Sequence, residues 1–201
     1  MENQAYLKRK KEYNIIIKNQ YLILYRFINE KAHLINISTI GTPHAFCSYQ
    51  LSDGALVNVD IVDTAGQEKY RSIGKQFYKK ADGCLLVYDI TRRATFEAIQ
   101  NFFLKEIKDN CKFEIKIILL GNKTDLEEQR QVSIDEGANF ASNNEFMFME
   151  TSCLLNRNVA DSFETLIELI YRDVLEKNRE NTQEDQVTIG KPSIEKKSKC
   201  C

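Results

Sequence analysis

Two stretches, Cys84-Leu85-Leu86-Val87-Tyr88 and Ile115 to Leu120, are apolar at nearly every position, and the second runs straight into a polar island. A strand with no solvated face belongs inside a parallel sheet covered by helices on both sides. Leu56 to Val62 instead alternates apolar with polar residues, as a half-buried strand does, after the turn Ser52-Asp53-Gly54. Ala45 to Leu51 is placed to be its hairpin partner. From Leu56 onward, strand and helix patterns alternate, which points to a three-layer α/β/α domain: a mostly parallel sheet with one antiparallel strand.

The helices carry their own signals. Thr91 is positioned as N-cap of a helix with Phe96, Ile99, Phe103 and Ile107 on its apolar face. Ser133-Ile134-Asp135-Glu136 is a capping box opening a short helix through Ala141, followed by a brief strand at Phe146 to Met149. A last helix is expected from Val159 to about Leu175, with Phe163, Leu166, Ile167, Ile170 and Val174 facing the core. Tyr13 to Lys18, rich in isoleucine, suits a further buried strand. The chain thus divides into an N-terminal extension (1–12), one domain (13–176) and a polar tail (177–201) expected to be a flexible tether.

Composition removes several classes of function. With 201 residues and 43% hydrophobic content the chain can bury one substantial core. A net charge of −1 gives no reason to expect a nucleic-acid partner. No apolar run approaches the ~20 residues of a membrane-spanning helix, and the basic cluster Lys8 to Lys11 has no hydrophobic segment behind it, unlike a secretory signal. Cys47, Cys84, Cys111 and Cys153 are scattered without metal-binding spacing and read as small hydrophobes.

Three polar islands stand at strand ends, where open parallel sheets bind ligands. The first is Asp63-Thr64-Ala65-Gly66-Gln67-Glu68, the second Gly121-Asn122-Lys123-Thr124-Asp125, the third Glu150-Thr151-Ser152-Cys153. Asp63 offers magnesium a hard oxygen ligand. Gly66 allows close backbone approach to a terminal phosphate, and the Gln67 carboxamide can orient an attacking water. Asp125 can accept from two N–H groups on one edge of guanine, with Asn122 and Lys123 holding its loop. The turn Thr151-Ser152-Cys153 can offer backbone N–H to the guanine carbonyl.

These islands, in this order, resemble those of the Rab family of small GTPases, within the Ras-like superfamily, over roughly Tyr25 to Glu176. Lys69-Tyr70-Arg71-Ser72-Ile73 and Leu85 to Thr91 resemble segments that separate Rabs from their relatives, and Asn101 to Ile107 resembles the helix that follows in Rabs. The resemblance implies a P-loop NTPase-type, Ras-like fold, GTP/GDP and Mg²⁺ as ligands, and a monomeric switch in vesicle-mediated membrane traffic. It implies that Thr39, in Ser38-Thr39-Ile40-Gly41, joins Asp63 at the magnesium. It further implies effectors, exchange proteins and activating proteins as partners. Cys200-Cys201, behind Lys196-Lys197-Ser198-Lys199, resembles the double-cysteine ending that prenylation machinery geranylgeranylates in Rabs. Two lipid chains beside a basic patch anchor stably, so the implied location is the cytoplasmic face of intracellular membranes, cycling with the cytosol.

One element of the pattern is missing. The first glycine of the chain is Gly41, so no Gly-x-x-x-x-Gly-Lys-Ser/Thr phosphate loop precedes the first helix. Aligned on Tyr25-Arg26-Phe27-Ile28-Asn29-Glu30-Lys31, the loop's glycine, lysine and hydroxyl positions fall on Asn19, Gln20 and Tyr21. Little or no GTP turnover is expected in consequence. Two readings stand: a pseudo-GTPase acting as a membrane-tethered interaction module, or a chain lacking a segment, to which the retained Thr39, Gln67 and Asp125 lend weight. Thr42-Pro43-His44 and Val62 also depart from the surface that Rab partners read.

Overall fold

The computed structural model describes residues 12–18, 23–27, 44–63, 77–111 and 114–188. Six strands form one sheet: β1 (Glu12–Lys18), β2 (His44–Gln50), β3 (Leu56–Asp63), β4 (Gly83–Asp89), β5 (Lys116–Asn122) and β6 (Met147–Thr151). Their order is β2-β3-β1-β4-β5-β6. Only β2–β3 is antiparallel; every other neighbouring pair is parallel. The Ser52-Asp53-Gly54 turn closes that hairpin, with Gly54 at φ +85 and its N–H donating to the Leu51 carbonyl.

Burial follows the sequence pattern closely. All seven residues of β4 are buried, as a strand covered on both faces requires. Ile15, Ile16 and Ile17 of β1 are equally enclosed, paired with Ile61 to Asp63 on one side and Gly83 to Leu85 on the other. One face of the sheet packs Tyr88, Phe96, Ile99, Leu119 and Val132 together.

Several local expectations are corrected. Thr91 is not an N-cap: the helix α1 (Arg93–Ala98) opens with Arg92 at that position and no side-chain cap. Thr91 instead donates through its N–H and hydroxyl to Asp89 Oδ1, at 2.9 and 2.7 Å. A π-helical turn (Ile99–Phe103) then leads into α2 (Leu104–Asn110). The extra residue of that turn brings Leu104 onto the buried face beside Ile107. Ser133 does cap α3 (Ile134–Asn143), accepting from the Glu136 N–H at 3.1 Å. The Glu136 carboxylate completes the capping box by accepting from the Ser133 N–H, and it also pairs with Arg93.

The last helix, α4, spans Val159–Thr188, thirteen residues past the expected end. Phe163, Leu166, Ile167 and Ile170 are buried as expected, whereas Val174 is only half-buried. From Tyr171 onward the chain forms a separate compact unit. Glu, Lys, Arg and Gln sustain helix there by propensity and by pairs such as Asp173–Lys177 at 2.7 Å. Residues 189–201, and with them Cys200 and Cys201, lie outside the described residues.

Gly137 shows how tightly α3 meets the sheet. A Cβ there would lie 2.5 Å from Tyr88 Oη and 2.8 Å from the Phe148 ring. Tyr88 Oη is itself buried without a hydrogen-bond partner among the described residues. Gly137→Ala is therefore expected to destabilise by about 1–2 kcal/mol, overpacking outweighing the gain in helix propensity. Tyr88→Phe should cost nothing alone and should restore part of that loss in the double variant. Chemical denaturation of the four proteins measures this coupling.

Candidate functional site

Five strands run parallel, so their last residues share one edge of the sheet: Lys18, Asp63, Asp89, Asn122 and Thr151. Asp63 and Asn122, expected just past their strands, are within them. Asp63, Asn122 and Thr151 are each the final residue of a strand, and all three are buried. Backbone pairing thus fixes where these side chains start.

The edge is stepped. Asp89, Asn122 and Thr151 are direct neighbours across β4, β5 and β6. Lys18, however, pairs with Leu86, and Asp63 is level with Ile17, itself opposite Leu85. β1 and β3 therefore stop three to four residues below the Asp89 row, a drop of about 10–13 Å at strand rise. One end of the edge is high and polar; Asp63 marks the low end.

The high end is knitted together by side chains from the second and third islands and by Asp89. Asn122 Oδ1 accepts from Thr151 Oγ1 at 3.2 Å and from Cys153 Sγ at 3.6 Å. Thr124 Oγ1 donates to the Thr151 carbonyl at 3.2 Å. Lys123 sits in the left-handed region (φ 73), and its ammonium reaches Asp89 Oδ2 at 2.6 Å. Burial of Asp89 disfavours its charge, but hydrogen bonds from Lys123 and Thr91 outweigh this and hold the carboxyl below its ordinary value. Burial likewise pushes the Cys153 thiol up, so it stays protonated and able to donate.

Asp125 accepts from Ser152 Oγ at 2.5 Å, which orients its carboxylate and leaves the second oxygen for a ligand. Ser152 is held in turn by a two-way bridge to Arg157, at 3.1 and 3.0 Å. Its N–H is spent there, which corrects the expectation that the whole turn offers amides. The Cys153 N–H has no acceptor among the described residues and is the amide left for a carbonyl. Behind this corner Arg130 binds Glu150 at 2.7 Å and Glu127 at 2.6 Å, fixing the strand end that carries Thr151.

Of the expected site residues, Asp63, Asn122, Lys123, Asp125, Thr151, Ser152 and Cys153 are thus on one edge, six of them in one corner. Thr39, Gly66 and Gln67 lie outside the described residues. Sequence reasoning overlooked Asp89 and Thr124. A carboxylate ending an otherwise apolar strand, at the same edge as the islands, was the available signal for Asp89.

The polar groups fit guanine: a positioned carboxylate to accept from its N–H pair and an amide to donate to its carbonyl, both at one end of the step. Phosphates fare otherwise. In this strand order the ligand crevice opens at the end of β1, between β3 and β4. Only residues 19–22 connect β1 to the helical segment 23–27, and none is glycine. The sequence there carries no Gly-x-x-x-x-Gly-Lys-Ser/Thr pattern. For magnesium, Asp63 is the one expected ligand among the described residues, and Tyr21 holds the register of the loop hydroxyl. Among the described residues no complete phosphate–magnesium site is present.

The Ras family model matches residues 20–172, so the match begins just after β1. Ras-related protein RIC2 of Oryza sativa subsp. japonica is 43% identical over 158 residues, covering 79% of this chain and 72% of that protein. The chain belongs to the Ras family of small GTPases. Members of this family bind GTP or GDP with Mg²⁺ and act through regulators and effectors.

Proposed function

We propose that this chain is a Rab-like member of the family, working in vesicle-mediated membrane traffic as a guanine-reading interaction module with little or no GTP turnover. One observation carries the reading. The base corner is fully assembled through Asp125–Ser152, Asn122–Thr151 and Lys123–Asp89, while the sequence after β1 carries no glycine before Gly41. The Rab-like segments Lys69 to Ile73 and Leu85 to Thr91 support the branch of the family. Cys200-Cys201 behind four lysine-rich residues supports a geranylgeranyl anchor on a cytoplasmic membrane face.

Catalysis needs Gln67 to orient water against a phosphate held in place. Without the cradle nothing fixes that phosphate, so Gln67 has no substrate to act on. In single-turnover assays the full chain should release phosphate from GTP no faster than Gln67→Leu. In cells a fluorescent fusion should sit on internal membranes and turn cytosolic on Cys200→Ser with Cys201→Ser. Hydrolysis at a rate that collapses on Gln67→Leu contradicts the catalytic half; membrane residence unaffected by the cysteine changes contradicts the anchor.

A further inference from the structure

β4 hands over to α1 through a turn closed by one hydroxyl. Thr95 Oγ1 accepts from the Asp89 N–H at 3.0 Å and donates to the Arg92 carbonyl at 2.7 Å. The Asp89 carboxylate is held separately, by Thr91 and by the Lys123 ammonium. The Thr95 hydroxyl thus joins the first turn of α1 to the residue that pairs with Lys123.

The side chains ahead of Thr95 face solvent. Arg92, Arg93 and Ala94 are exposed, and Thr95 itself is half-buried. Arg93 is engaged by Glu97 and Glu136. The Arg92 guanidinium has no partner among the described residues. Arg92-Arg93-Ala94-Thr95 therefore sets an unpaired guanidinium three positions before a hydroxyl, with a second one between. α1 resists opening poorly: it has no side-chain cap and no acidic residue in its first turn, and it gives way to a π-helical turn after Ala98. A short element held by few contacts is among the first to open locally.

We propose that Thr95 is a phosphorylation site for a protein kinase that reads arginine, with Arg92 as the main recognition residue. Kinases select substrates by charge pattern, and Arg92 offers an acidic kinase cleft a cation that no internal pair must release. In the reaction Thr95 Oγ1 attacks the γ-phosphorus of ATP. The new O–P bond forms as the bond to the β–γ bridging oxygen breaks, the hydroxyl proton passes to the kinase's base, and ADP leaves. The product oxygen has no proton left to donate to the Arg92 carbonyl. It carries a charge of about −1.5 to −2 beside the Asp89 carboxylate. Repulsion of Asp89 and attraction of Lys123 and Arg92 then draw the Asp89–Lys123 pair apart, so the modification loosens the end of β4. The inference goes beyond the function proposed above and stands without it.

The test incubates the folded full chain with ATP, Mg²⁺ and the catalytic subunit of cyclic-AMP-dependent protein kinase, which reads paired arginines, and locates phosphate by tandem mass spectrometry. Thr95 should be modified, Thr95→Val should remove that phosphopeptide, and Arg92→Gln should slow its appearance at least about tenfold. An unfolding midpoint equal to wild type shows that Arg92→Gln remains folded. In the phosphorylated chain, hydrogen–deuterium exchange at the Asp89 amide should be at least about tenfold faster. Phosphate confined to other residues, or reaching Thr95 only after heat denaturation, overturns the site. An unchanged rate in Arg92→Gln overturns its recognition role. Phosphorylation of Thr95 with unchanged exchange at Asp89 overturns the loosening of β4 and leaves the site standing.

Discussion

Replacing Asn19-Gln20-Tyr21 by an eight-residue Gly-x-x-x-x-Gly-Lys-Ser segment should raise affinity for GDP with Mg²⁺ by at least ~100-fold, about 2.7 kcal/mol. β1 ends at Lys18, low on the edge and beside Asp63, where the sheet order opens its ligand crevice. Glycines there reach the φ values that turn successive N–H groups onto a phosphate, and the lysine adds the missing charge. The base corner needs no change, because its anchors lie on β4, β5 and β6. The grafted chain should also gain GTP hydrolysis that Gln67→Leu removes. A graft that folds but binds GDP no better than the parent places the defect elsewhere than in the connection.

Phe163→Ala should destabilise the domain by about 3–5 kcal/mol. Phe163 is fully buried on α4 and stacks on Phe27 with ring centroids 4.0 Å apart. Phe27 belongs to the helical segment 23–27, whose Ile23 and Leu24 are also buried. That segment directly follows the short connection, so the stack fixes the far end of the crevice as well as the core. Removing one ring leaves a cavity between helix and sheet that rigid surroundings close only partly. Denaturant unfolding of wild-type and variant chains measures the loss; a change under ~1 kcal/mol would show that the segment is held by other contacts.

Together these two expectations separate what stabilises the fold from what would confer nucleotide grip. The aromatic core asks for no ligand: β1 and β4 are buried on both faces, and α4 covers the sheet with Phe163, Leu166, Ile167 and Ile170. The crevice, by contrast, retains its base end among the described residues, while the sequence after β1 has no phosphate-loop motif. A family member can keep its fold and its reading surface under those conditions.

Much of this was legible in the residues. The apolar runs at Cys84 to Tyr88 and Ile115 to Leu120 announced buried parallel strands, because a strand without a polar face has one place to go. Ser133 announced its helix through the cap it forms. The order of the three islands announced the edge on which Asp63, Asn122 and Thr151 end their strands.

What stayed hidden depends on partners distant in sequence. Thr91 has the chemistry of an N-cap, yet Asp89 two residues earlier competes for its N–H and hydroxyl and wins. Asp89 in turn is read correctly only once Lys123, on the next strand's loop, is known to reach it. Ser152 looked like an amide donor until Arg157 claimed its N–H. The continuation of α4 to Thr188 reflects helix propensity in a polar stretch, where no apolar periodicity marks an end. The step in the sheet edge follows from strand register, which periodicity does not reveal.

The central claim is that this chain keeps the guanine corner of its family without the means to grip phosphates. Full-length protein purified without added nucleotide, then heat-denatured and its supernatant resolved by ion-exchange chromatography, tests it most directly. The account predicts no appreciable GDP or GTP released per mole of protein. Release of a stoichiometric amount of guanine nucleotide would contradict it.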